Sequence, residues 1–166
     1  KQVNLVKSPA EVRAYTASSS IDAAGNLTLT ATSDQSIDAL VVAGSAAASG
    51  GLVGVGVSGA GAGAVNRITT HVQAFMEGDG TTGVIADSVT LLAQDASTVS
   101  AVTGAASLAA GLGGVGVAVS IGVAGAYNEI SNDVASFIYN ADTGITARSG
   151  NVTIEAVEAA AINAVS

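Results

Sequence analysis

A chain of 166 residues with 21 glycines, 49% hydrophobic and only 3% aromatic residues must build its core from Ala, Val, Ile and Leu. Five Lys plus Arg against 13 Asp plus Glu leave a net charge of −8, which excludes a phosphate-backbone binder, whose footprint is a basic patch. No cysteine is present, so disulfides and thiolate metal sites are excluded as well.

The first readable block is Val3-Asn4-Leu5-Val6, followed by Val12-Arg13-Ala14-Tyr15. Next comes a turn, Ile21 to Asn26, and then a strand pattern in which Leu27, Leu29 and Ala31 alternate with Thr28, Thr30 and Thr32. Aliphatic residues on one side and Thr on the other describe a half-buried strand. Ser33 stands where the next inward residue belongs, so the strand is expected to turn a corner there, with inward residues resuming at Ile37.

Ala39 to Asn66 carries no charge, and neither does Ala96 to Asn128. Both are long enough to cross a bilayer as helices. The pattern argues otherwise. Val115, Val117, Val119, Ile121 and Val123 alternate with Gly116, Ala118, Ser120, Gly122 and Ala124, a period of two. Repeated Gly inside a helix costs about 1 kcal/mol per position relative to Ala. These segments are therefore read as strands and not as transmembrane helices. The branched face, with Val115, Val117 and Val119, is expected to point inward, so that Val117→Asp would destabilise strongly. The Gly/Ala face of residues 114–126 is expected to pack unusually close against a neighbouring sheet.

The blocks then return. Val65-Asn66-Arg67-Ile68 and Tyr127-Asn128-Glu129-Ile130 repeat the first tetrad at a step of 62 residues. Val72-Gln73-Ala74-Phe75 and Val134-Ala135-Ser136-Phe137 repeat the second, and Val89-Thr90-Leu91 and Val152-Thr153-Ile154 repeat the Leu27 strand. Asp95 and Glu158 take the place of Ser33 at the corner. Such a period marks a stacked repeat. The copies run at approximately 3–64, 65–126 and, in part, 127–166. Lys1 and Ser166 both fall in mid-repeat, so one elongated domain, 1–166, excerpted from a longer array, is expected.

Asn26-Leu27-Thr28-Leu29-Thr30-Ala31 and Gly150-Asn151-Val152-Thr153-Ile154-Glu155-Ala156, each after a Gly or Asn turn, resemble the repeat of haemagglutinin-type filamentous adhesins. The Gly-Val-Gly-Val tract, followed by Asn, Ile and an aromatic strand, resembles the leukotoxin-type filamentous adhesins of Gram-negative bacteria. The resemblance covers nearly the whole chain. It implies a parallel β-helix on the bacterial cell surface, extracellular, in contact with host or neighbouring cells. It carries no catalytic residue across.

The expected fold is all-β, a right-handed parallel β-solenoid with two to three coils per repeat, each of about 21 or about 31 residues. Asn4, Asn66 and Asn128 are read as turn or bulge residues, separated by more than one rung and so forming no ladder. Tyr15, Phe75 and Phe137 are read as core filling rather than a sugar-stacking platform. GxGxxG occurs at Gly54–Gly59 and at Gly111–Gly116, but a dinucleotide site needs a strand before it, a helix after it and an acidic residue about 20 positions on; the two matches fall in different registers of the repeat, and glycine is frequent enough here to generate them by chance. His71, the one histidine, is matched by Asp133, which leaves neither a zinc site nor a triad. The loop Glu77-Gly78-Asp79-Gly80 is read as a solvated turn with at most weak Ca2+ binding; no other cofactor, catalytic residue or nucleic acid is expected. The functional expectation is a non-catalytic structural repeat of a surface-displayed filamentous adhesin. Its alternative is an extracellular filament subunit that self-associates end to end through unpaired terminal strands.

Overall fold

The structure is a computed structural model that describes residues 8–166. Asn4 and the tetrad around it lie outside the described residues. Every regular element among the described residues is a strand: β1 Ala10–Ala17, β2 Ile21–Asp22, β3 Leu27–Ser33, β4 Ser36–Glu77, β5 Val84–Ala86, β6 Val89–Asp95, β7 Thr98–Tyr139, β8 Ile145–Ala147, β9 Val152–Glu158 and β10 Ala161–Val165. They form three sheets, in the orders β1-β4-β7-β10, β2-β5-β8 and β3-β6-β9.

The pairing is parallel and follows the repeat. Leu27 lies beside Val89 and Val89 beside Val152; Ile21 lies beside Val84, and Val12 beside Val72. The chain visits three sheets in turn and returns to the first, adding one strand to each sheet per repeat. The expectation of parallel all-β structure holds. That of two to three coils per repeat does not: each 62-residue repeat makes one circuit, because about half of it lies in a long strand that doubles back on itself.

The described residues group into two compact units. The first comprises residues 8–35, Ile68–Ser97 and Ile130–Ala161. Its core includes the aliphatic face predicted from alternation, Val89, Leu91 and Ala93 with Leu27 and Leu29 packed against it, and adds Val72, Ala74, Met76, Val84 and Ala86, all buried. Thr28, Thr30 and Thr32 face solvent. β3 and β6 end on Ser33 and Asp95, both buried, and the new strands start within three residues, so the predicted corner is present.

The second unit comprises Ser36–Arg67, Thr98–Glu129 and Ile162–Ser166. Here the continuous strands fold back. The Ser45 and Ser58 hydroxyls are 2.8 Å apart, and those of Ser107 and Ser120 are 2.6 Å apart. Thirteen residues of straight strand would span about 43 Å, so each segment must reverse between its two serines. The first reversal passes through Gly51, whose φ of 139° suits glycine alone. Each segment thus becomes two arms, outgoing and returning, whose inner faces meet.

Those inner faces carry the small residues. A Cβ on Gly56 would stand 2.7 Å from the Ala110 carbonyl oxygen, and one on Gly122 would stand 2.9 Å from that of Ala105. Within residues 114–126 the expected close packing is present at Gly116 and Gly122, against the other arm of the same segment, but not at Gly114 or Gly125. The expected inward branched face is absent: Val115, Val117 and Val119 are 62%, 51% and 45% exposed. The gap between the arms is too narrow for a branched side chain, so sterics turn the larger residues out to solvent.

Candidate binding surface

Tyr15, Phe75 and Phe137 do not fill the core. They occupy the face of the β1-β4-β7 sheet opposite Val12, Ala14, Val72 and Ala74, which pack inward. In-register pairing stacks the rings at 5.1 Å with planes 8° and 9° apart, and Tyr139 tilts against the end of the stack. Each stacked pair contributes about 0.5–1.5 kcal/mol beyond area burial. A sugar platform needs a free ring face. Both faces of Phe75 are covered, so the ladder presents mainly ring edges.

Asn66 and Asn128 also differ from expectation. Both lie within strands, and the Asn66 Nδ2 donates to Asn128 Oδ1 at 2.8 Å. With one rung per repeat, equivalent amides fall one above the other and form a ladder. Beside them Arg67 donates twice to Glu129 Oε2, through Nε at 3.0 Å and through Nη2 at 2.5 Å, and Tyr127 donates to the same oxygen at 3.0 Å. These bonds hold the Glu129 carboxyl below its usual range and raise Arg67. All three side chains are near the surface, so the pair adds little to stability.

Asp95 belongs to a polar network that residue patterns do not reveal. It is fully buried at the corner and accepts from Ser97 N at 3.0 Å, Ser97 Oγ at 2.8 Å and Asn132 Nδ2 at 2.6 Å. Asn132 Oδ1 in turn accepts from Thr70 N at 3.1 Å. The corner position of Asp95 is legible in sequence; Asn132 is not, because it arrives from the next circuit.

In the loop after β4, Gly78 and Gly80 have φ of 71° and 67°, and Asp79 is buried. Asp79 Oδ2 accepts from Gly144 N at 2.5 Å and so clasps one rung to the next. Ser18, Asn140, Asp142 and Thr143 complete a shallow depression around it. Among the described residues no three His, Cys, Asp or Glu side chains gather as a metal site. His71 lies within β4 beside Glu11, and the GxGxxG glycines lie within the arms, where close main-chain approach accounts for Gly54, Gly56, Gly111, Gly113 and Gly116 but not for Gly59.

Exposed aliphatic side chains line both outer faces of the arms. On the outgoing arms Leu40, Val42, Val102, Leu108 and Leu112 are exposed; on the returning arms so are Val53, Val55, Val57, Val115, Ile121 and Val123. Among the described residues no helix is long and apolar enough to cross a membrane. Comparison with protein-family models, with curated proteins and with solved structures finds no match.

Proposed function

We propose that this chain is a structural segment of a surface-displayed filamentous adhesin, a right-handed parallel β-solenoid that holds other parts of the protein away from the cell. The observation that carries this reading is the one-strand-per-repeat register: Leu27, Val89 and Val152 stack in one column, and Tyr15, Phe75 and Phe137 in another. Such a register can be extended indefinitely by adding repeats, which suits a stalk. The Thr-rich outer strands and loop tips then face host or neighbouring cells. Labelling intact cells with a membrane-impermeant reagent tests it: the parent protein is expected to be labelled, and a protein protected until lysis contradicts the proposal.

A second reading is end-to-end self-assembly. It is favoured by the unchanged parallel register from β3 to β6 to β9, onto which a further strand can pair in the same direction. Sedimentation at rising concentration, with electron microscopy, tests it. End-to-end fibres support this reading, and a concentration-independent monomer overturns it.

A further inference from the structure

A fold selects asparagine locally for two reasons: its amide bonds nearby groups, and its backbone tolerates a positive φ. Asn66 and Asn128 bond each other, Asn132 bonds Asp95, and Asn140 has a φ of 54°. Asn26 and Asn151 have neither reason. Their φ angles are not positive, and among the described residues no protein group bonds either side chain. Asn151 is held only through its main chain, where its carbonyl accepts from Val89 N at 3.0 Å. Both asparagines, and the threonines two places on, are exposed.

These two idle amides head Asn26-Leu27-Thr28 and Asn151-Val152-Thr153, the Asn-x-Thr pattern of an N-glycosylation acceptor. No other asparagine of the chain has Ser or Thr two places on; Asn163, exposed in β10, is followed by Ala164-Val165. From this coincidence of pattern, exposure and unused side chain we propose that Asn26 and Asn151 are sites of N-linked sugar. The inference goes beyond the stalk reading and does not depend on it, since a stalk can stand bare and a glycosylated chain can serve another role. The donor is a hexose joined to a nucleoside diphosphate, brought by a transferase. The asparagine amide nitrogen bonds to the anomeric carbon of the hexose. The bond from that carbon to the diphosphate oxygen breaks, its electron pair leaves with the nucleoside diphosphate, and the amide proton passes to a base of the transferase.

The sheet positions the acceptors. Leu27 packs against the core, so Asn26 and Thr28 on either side of it share the outer face, amide beside hydroxyl. Gly25 and Gly150 precede the two asparagines in exposed turns, which leaves each amide open to an enzyme. Leu27 N donates to Ser88 O as Val89 N donates to Asn151 O, so Asn26, Ser88 and Asn151 form one column. The acceptors therefore stand two rungs apart, about 9.6 Å. A hexose ring with its hydroxyls is broader than one rung of about 4.8 Å, so sugars on adjacent rungs would collide and sugars on alternate rungs fit. Ser88 keeps the middle rung free.

The test is peptide mapping by tandem mass spectrometry, with electron-transfer fragmentation, of the parent protein purified from the cells that make it. Hexose is expected on Asn26 and Asn151 and on no other asparagine of this chain. Both sites bare, or sugar on the threonines instead, overturns the proposal. In the same cells Thr28→Val should lose the sugar at Asn26 and keep that at Asn151, whereas Thr28→Ser should keep both, with far-UV circular dichroism unchanged throughout. Sugar retained at Asn26 in the Thr28→Val protein overturns the acceptor assignment. Ser88→Asn completes the pattern on the middle rung with Val89-Thr90. Sugar at position 88 is expected only on chains that lack it at 26 and 151, and chains filled at all three positions contradict the spacing argument.

Discussion

The two units obey the same period-two alternation with opposite outcomes. In the first, Leu91 and Val89 point in and Thr28 and Thr30 point out. In the second, Gly54, Gly56 and Ser58 point in, while Val53, Val55 and Val57 point out. Alternation fixes that a strand has two faces. Which face is buried depends on the width of the space beside it. Three sheets around a common core leave room for Leu and Met, whereas two arms in close contact leave room for a hydrogen, a methyl or a hydroxyl.

Charge and truncation in the two units break or sharpen this contrast. Val72→Asp puts an unpaired carboxylate into a fully buried site, and a loss above about 4 kcal/mol is expected, seen as a collapse of the urea midpoint. Leu91→Ala, also fully buried, should cost about 2–5 kcal/mol. Val119→Ala on an outer arm face should cost less than about 0.5 kcal/mol. Equal losses for the last two would dissolve the distinction between the units.

Asp95→Ala leaves the Ser97 and Asn132 donors without their acceptor in a buried corner, and about 1–3 kcal/mol should be lost. Asp95→Asn should recover part of that loss, since an amide oxygen can still accept. A neutral result for Asp95→Ala would mean that the corner does not depend on the network.

The smallest effect concerns pH. The folded-state pKa of Glu129 is depressed, chiefly by its hydrogen bonds from Arg67, so its contribution is present above the ordinary carboxylate range and is lost as pH falls through the folded value. In a Glu129→Gln protein the acid limb of the stability curve should be slightly shallower than in the parent. The difference should shrink in high salt, because the pair is exposed.

Much of the first unit is legible in the sequence. Leu27, Val89 and Val152 align by eye and lie side by side in space, and Ser33 and Asp95 mark the corner. The number of rungs per repeat is not legible from the period, since a repeat can close once or several times. That error carried the Asn66–Asn128 ladder with it. The arm reversal does leave a trace. Large residues fall on even positions at Leu40, Val42, Leu108 and Leu112, but on odd positions at Val53, Val55, Val115 and Val117. This change of parity across Gly51 and Gly113-Gly114 is what a strand shows when it turns back and its other face meets solvent. The small residues of the Gly/Ala face signal close packing; that this face and not the branched one turns inward is not legible, because it is set by main-chain approach such as that between Gly56 and Ala110.

The most direct test compares two adjacent positions, Gly56 and Val57, by urea unfolding at a concentration low enough to keep the chain monomeric. Gly56→Val would drive its Cβ against the Ala110 carbonyl, 2.7 Å away, and its branches further still. Overpacking of this kind should cost about 3 kcal/mol, whereas Val57→Asp, on the exposed face, should stay within about 0.5 kcal/mol of the parent. The opposite order, a tolerated valine at 56 and a disabling aspartate at 57, would contradict the inward glycine face on which the account of the arms rests.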